Sequence, residues 1–384
     1  MTQKPNTLTG HLGREPARYH GAVSTPVYRV STFLMPDLET LERGTAPYVY
    51  GRRGTPTSES FATAINTLEH GATTVVTPSG LAAITTAILS VCRTGDHLLV
   101  SDSAYFPTRN FCDRVLARYG VQTSYFDPCI GNGIEELFRS NTRAVFCESP
   151  GSLTFEVQDI PAIATAAHRH GASVLMDNTW ATPLFFQPLD HGVDLSIQSV
   201  TKYVGGHSDL MMGYVCANAS HADRLVQTHG DLGQFASADD LFLALRGLRT
   251  LARRLPVHEQ NGLKLARWFA QRPEVTRVLH PGLESDPGHA IWKRDFRGAC
   301  GLFAIELKPL SRSALAALMN SLKLFGMGWS WGGFESLITP AHIVRTARPW
   351  PADATVVRVH AGLEDIDDLI ADLTQGFERM AREL

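Results

Sequence analysis

Between residues 73 and 217 short apolar runs recur, and several are apolar throughout rather than on alternate residues: "HLLV", "AVFC", "SVLM". A strand that is apolar on both faces must be covered on both faces. Helices provide that cover when each crosses over the sheet between two strands, which sets those strands mainly parallel. Helical periodicity fills the intervals, in "SESFATAINTLEHG", residues 81–91, "YFPTRNFCDRVLARYG" and "IPAIATAAHRHG". The first of these has a serine cap at its start and Gly71 as its stop. "TTVVT", "VQTSYF", "RAVFCES", "SVLMDN", "DLSIQSV" and "MMGYVCA" are the strand candidates. The fold expected is α/β, with a mainly parallel central sheet covered by helices.

Three regions differ in texture. Residues 1–55 are rich in Pro, Gly, Thr and Tyr, with little periodicity, and read as an arm or intersubunit segment in which "AVSTPVYRVSTF" forms short extended pieces. Residues 56–240 carry the alternating helices and strands. Residues 241–384 open with "LFLALRGLRTLARRL", where Leu241, Leu245, Leu248 and Leu251 share one face and arginines occupy much of the other. This is an amphipathic connecting helix. A smaller α/β domain follows, with strands in "GLFAIEL" and "TVVRVH" and helices near 311–320 and 365–382.

A chain of 384 residues with a formal charge of -3 has no basic excess to attract nucleic acid. None of its apolar runs has membrane-spanning length, and "MTQKPNTLTGHLGREPARYH" lacks the apolar core of a secretory leader. The six cysteines are scattered, with no C-x-x-C pair, so reduced thiols and no metal site are expected. A cytoplasmic location is the default expectation.

Two strand ends carry the chemistry. Asp177 closes "SVLMD", and Lys202 follows "DLSIQSV" after Ser199 and Thr201. In a parallel sheet the carboxyl ends of the strands face one crevice, so the two side chains can meet on one ligand. Taken singly, the lysine reads as a solvated amine and the aspartate as a helix cap. Taken together, they offer an amine that captures an aldehyde and a carboxylate that keeps a ring nitrogen protonated, as pyridoxal phosphate needs. In "TPSGLAA", Ser79, Gly80 and Leu81 form a strand-to-helix turn whose N–H groups can hold a phosphate, with hydroxyls from Ser199 and Thr201 on the same approach. Neither G-x-x-x-x-G-K-[ST] nor a strand-linked G-x-G-x-x-G is present.

Over nearly its full length the chain resembles the Cys/Met-metabolism family of pyridoxal-phosphate enzymes, in "YGRRGTPT", "TPSGLAA", "SDSAYFPT", "MDNTWATP", "SVTKYVGGHSD", "SWGGFESL" and "VVRVHAGLED". The resemblance implies a fold type I, pyridoxal-phosphate-dependent transferase-like fold. It implies Lys202 as the Schiff-base lysine, Asp177 as partner of the ring nitrogen and Tyr105 as the aromatic stacked on the ring. Ser79, Gly80, Leu81, Ser199 and Thr201 would approach the phosphate. Tyr50 and Arg52, which otherwise read as a surface turn, would reach the active site of an adjacent subunit, making a homodimer the minimum unit and a homotetramer the expected assembly. Arg358, otherwise a solvated strand arginine, would clamp the substrate carboxylate, with Ser330 and Trp331 lining its side. The implied reaction is β-elimination of the thioether L-cystathionine to homocysteine, pyruvate and ammonia. Elimination or replacement at Cγ is the alternative within the family, and a non-catalytic regulator on the same fold is the competing class.

Overall fold

The structure, a computed structural model, describes residues 3–351 and 353–383. Its larger sheet contains β1 (Thr73–Thr77), β2 (His97–Ser101), β3 (Gln122–Phe126), β4 (Thr142–Glu148), β5 (Ser173–Asp177), β6 (Leu195–Ser199) and β7 (Gly213–Ala217). Their order is β1-β7-β6-β5-β4-β2-β3. From β6 to β3 every pairing is parallel, while β7 is antiparallel to both β6 and β1. The sheet is therefore mixed at one end. The segment 200–212 contains no helix to cross the sheet, so β7 can only fold back beside β6. Double-sided burial is complete at the centre: Leu98, Leu99, Val145, Phe146, Val174 and Leu175 are wholly inaccessible. Phe61, Ile65 and Ile163 pack in the cluster on one face, and Ala83, Ile84 and Ile88 in the cluster on the other.

The smaller C-terminal domain has an antiparallel sheet in the order β10-β11-β9-β8, made of β8 (Val275–Leu279), β9 (Leu302–Leu307), β10 (Leu337–Pro340) and β11 (Thr355–His360). Only β9 and β11 stand out in the sequence. β8 is an edge strand with Thr276 and Arg277 exposed, and β10 is four residues ending on a proline, so neither carries an apolar run. Helices Arg312–Ser321 and Ile366–Ala381 share a core with Phe303, Val357 and Val359.

Several local expectations are corrected. The helix Pro56–Glu69 is capped by Thr55, paired with Ser58 in a reciprocal capping box, and His70 rather than Gly71 takes the left-handed terminal conformation. In the arm, the only pairing among the described residues is a bridge between Thr32 and Tyr50. The amphipathic helix runs Ala238–Ala270, through Pro256, because its leucine stripe stays buried beyond the proline at Leu265 and Phe269. Arg254 does not lie on a solvent face. It is buried and donates to the carbonyls of Tyr203 (2.8 Å), Val204 (3.4 Å) and Gly247 (2.9 Å). The helix thereby grips the loop that follows β6.

Asp102, just beyond β2, ties the two sheets together. Its carboxylate accepts from the main-chain N–H groups of Thr346, Ala347 and Arg348 and from the Arg109 guanidinium at 2.5 Å. Burial pushes this carboxyl up, but the N–H groups of Arg348 and Thr346 and the guanidinium outweigh it and hold it below the usual range. Both side chains are almost inaccessible. Asp102→Ala would leave a buried guanidinium without its counter-charge, so a loss of about 3–5 kcal/mol is expected. Urea denaturation reads it, with exposed Asp223→Ala as the control, expected within about 0.5 kcal/mol of the parent.

Candidate active site

Because β4, β5 and β6 run parallel, their carboxyl ends lie on one edge. Glu148 stands opposite Asp177, and Asp177 opposite Ile197. The reversed β7 adds a second convergence. Gly213 is the cross-strand partner of both Thr77 and Ser199, so the turn after β1 arrives beside the end of β6. Ser79 caps the helix Gly80–Val91 by accepting from Ala82 N–H at 3.1 Å, and Leu81 sits exposed in its first turn. A Cβ on Gly80 would lie 2.6 Å from both Cβ and Oγ of Ser199. Glycine is required there, and the result is a backbone-lined hollow at a helix N-terminus, suited to an anion. Thr201 borders it, its hydroxyl exchanging bonds with the Met212 main chain.

Lys202 enters the same crevice. Its Nζ donates to Ser330 Oγ at 2.6 Å and lies 5.4 Å from the Trp331 ring. Burial lowers its pKa, the Arg358 charge lowers it further and Asp177 partly opposes both, leaving it at about 8. Asp177 is buried at the floor. Its Oδ1 accepts from the N–H and hydroxyl of Thr179, at 2.9 and 2.5 Å, which leaves Oδ2 for another donor. Burial raises its carboxyl against those bonds and the Lys202 charge. Arg358 projects from β11 and donates to the carbonyls of Gly328 and Ser330, both at 3.0 Å. Tyr105 stands at the rim, half exposed, and burial, Glu148 and Asp177 raise its phenol while Arg358 opposes them.

Thus the structure gathers Lys202, Asp177, Tyr105, Ser79, Gly80, Leu81, Ser199, Thr201, Ser330, Trp331 and Arg358 around one crevice. Among the described residues no hydrogen bond joins Tyr50 or Arg52 to these side chains. Arg52 donates to the Gly230 carbonyl at 3.0 Å and lies 5.9 Å from the Tyr50 ring, which is half exposed. Glu148 was missed by sequence reasoning, although "RAVFCE" ends a buried strand on a carboxylate just as "SVLMD" does. It accepts the Tyr105 N–H at 2.7 Å, and burial and the neighbouring Asp177 push it well above the usual range.

An amine held partly neutral, a buried carboxylate with one free oxygen and a backbone-lined hollow at a helix N-terminus are the groups that pyridoxal phosphate requires. The residues present fit that cofactor. The chain belongs to the Cys/Met-metabolism family of pyridoxal-phosphate-dependent enzymes, whose family model matches residues 6–378. A provisionally named cystathionine beta-lyase of Rhizobium johnstonii is 51% identical over 377 residues, 97% of this chain and 95% of its own. The cystathionine beta-lyase of Escherichia coli is 43% identical, covering 98% of this chain and 99% of its own. The crystal structure of cystathionine gamma-lyase from Lactobacillus plantarum complexed with L-serine superposes with a TM-score of 0.91 at 30% identity, over 99% of this chain and 100% of that one. Among the described residues no helix is long and apolar enough to cross a membrane.

Two outcomes follow from this geometry. Gly80→Ala forces a methyl group into Ser199, so the cofactor should be held about tenfold or more weakly, as measured by its retention on dialysis. For Lys202, a lowered pKa means that the reactive neutral amine predominates above about pH 8. Capture of pyridoxal phosphate by the stripped protein should therefore slow about tenfold per pH unit below that point and level off above it; a rise continuing to pH 10 would contradict the burial effect.

Proposed function

We propose that this protein cleaves L-cystathionine by β-elimination, as a cystathionine beta-lyase acting in a homodimer or a pair of homodimers. The observation that carries the reading is the Lys202 amine: half-buried, bonded to Ser330, and set electrostatically between Asp177 and Arg358. When bound, pyridoxal phosphate supplies the aldehyde and the protonatable ring that accept the electron pair released at Cα. Asp177, with Oδ2 free, would keep the cofactor's ring nitrogen protonated. Arg358 would turn its paired N–H groups to the substrate carboxylate, which fixes the Cα–H bond for removal. Tyr105, at the rim, would help to hold the cofactor and keep water off it.

Lys202 Nζ takes the Cα proton and then delivers a proton to the sulfur as the Cβ–S bond breaks. Homocysteine leaves, and the three-carbon remainder takes up water to give pyruvate and ammonia. The choice of Cβ over Cγ rests on two supports: the names of the two relatives with the higher identities, and the segment "GWSWGGFESLITP". The family resemblance of "YGRRGTPT" supports Tyr50 and Arg52 as residues that serve a neighbouring subunit.

Product identification tests the reaction. L-cystathionine should yield pyruvate and homocysteine; 2-oxobutyrate and cysteine would instead assign cleavage at Cγ, the activity named for the Lactobacillus plantarum structure. Lys202→Arg should lose turnover by at least about 10³-fold, because a guanidinium cannot replace the amine as base or aldehyde partner. A species that stays monomeric in light scattering yet remains fully active would defeat the shared-site assembly.

A further inference from the structure

Strand β11 presents Arg358 and His360 on one face, two residues apart, while Val357 and Val359 join the core on the other. His360 is wholly inaccessible, with the rings of Tyr203 and His258 centred 5.9 and 5.4 Å away. Its Nε2 lies 3.0 Å from Gly332 N and its Nδ1 3.1 Å from the Glu335 carbonyl oxygen. A backbone N–H can only donate and a carbonyl can only accept. Nε2 must therefore be bare and Nδ1 must carry the proton, which makes His360 a neutral imidazole of fixed tautomer.

The turn it holds is the wall of the site. Ser330 adopts φ 99°, a conformation that a non-glycine residue keeps only where its surroundings enforce it. Gly332 has φ 87°, and a Cβ there would lie 2.8 Å from Tyr203 N and 2.9 Å from the Lys202 carbonyl carbon, so its main chain rests directly on that of Lys202. Arg358 holds the same turn from below through the Gly328 and Ser330 carbonyls. When Arg358 turns to a carboxylate, its hold on Gly328 and Ser330 is given up, and the two bonds at His360 keep Gly332 and Glu335, on the far side of Trp331, in place together with the bond from Leu363 N–H to the Phe334 carbonyl.

We infer that His360 is a positioning residue: through its two ring nitrogens it fixes the Ser330–Glu335 turn against Lys202 and so aligns the carboxylate-binding side of the crevice with the reacting amine. This rests on the reading of Lys202 and Arg358 given above, but not on which bond is cleaved.

The test uses the cofactor-loaded protein and two amines, L-alanine and ethylamine, which differ in the carboxylate; binding is followed by the change in cofactor absorbance. His360→Asn keeps a donor at the Nδ1 position and leaves Gly332 N–H unpartnered. It should bind L-alanine about tenfold more weakly, the scale of one buried hydrogen bond left unmade, with ethylamine unchanged. His360→Gln places an acceptor at the Nε2 position and should restore L-alanine to within about threefold of the parent. Equal weakening of both amines, or of neither, overturns the inference. If the Asn variant fails to retain cofactor, the Gln variant decides alone, a loss of L-alanine affinity beyond that threefold limit overturning it. Absence of L-cystathionine cleavage in the parent protein would defeat the proposed function without touching these affinities.

Discussion

An ammonium group buried beside a guanidinium cannot hold its proton at the strength it would have in water. Lys202 is in that position, with Arg358 opposing its charge and only Asp177 favouring it. Burial and charge both come from the architecture. Burial is imposed by the turn of 330–332 lying across the loop after β6, and the balance of charges by strands from two different sheets pointing at one crevice. A lysine on the outside of either sheet would be an ordinary cation. Here the fold leaves the amine largely neutral at mildly alkaline pH, the state that the proposed roles of base and nucleophile require.

That arrangement depends on loops being held still. Arg254 reaches from the long helix to the carbonyls of Tyr203 and Val204, immediately after the lysine. His360 and Arg358 hold the opposing turn. Each anchor is a polar side chain drawn into a low-dielectric interior and satisfied there by main-chain groups, the condition under which burial of polarity becomes specific rather than merely costly. The precision of the site therefore belongs to main-chain positions, fixed in part by side chains such as Arg254 and His360 that lie behind the crevice.

These features differ in how far the sequence reveals them. Strands such as "HLLVS" and "SVLMD" are readable because burial on two faces leaves a continuous apolar run, and Asp177 and Lys202 stand out against such runs. The hollow at the start of the helix Gly80–Val91 is visible only as a serine and a glycine at a turn, since its real determinant, the closeness of Gly80 to Ser199, comes from two antiparallel pairings with β7. Helical periodicity assigns Arg254 to the solvent side because periodicity registers residue type and not the carbonyls waiting opposite. Short edge strands escape for lack of apolar length, as β8 and β10 did. Tyr50 and Arg52 carry no local signal at all, and their assignment comes from the family resemblance.

Asp102 has a mechanical consequence. It collects the N–H groups of Thr346, Ala347 and Arg348, which lie on the chain between β10 and β11, the strand that bears Arg358. The strand that bears Arg358 is thus moored at its entrance by a buried carboxylate, while its neighbour β9 is moored separately, by Trp180 at the Leu302 carbonyl and by Tyr203 at Gly301 N–H. With two moorings set apart, the carboxylate side of the crevice is braced rather than hinged.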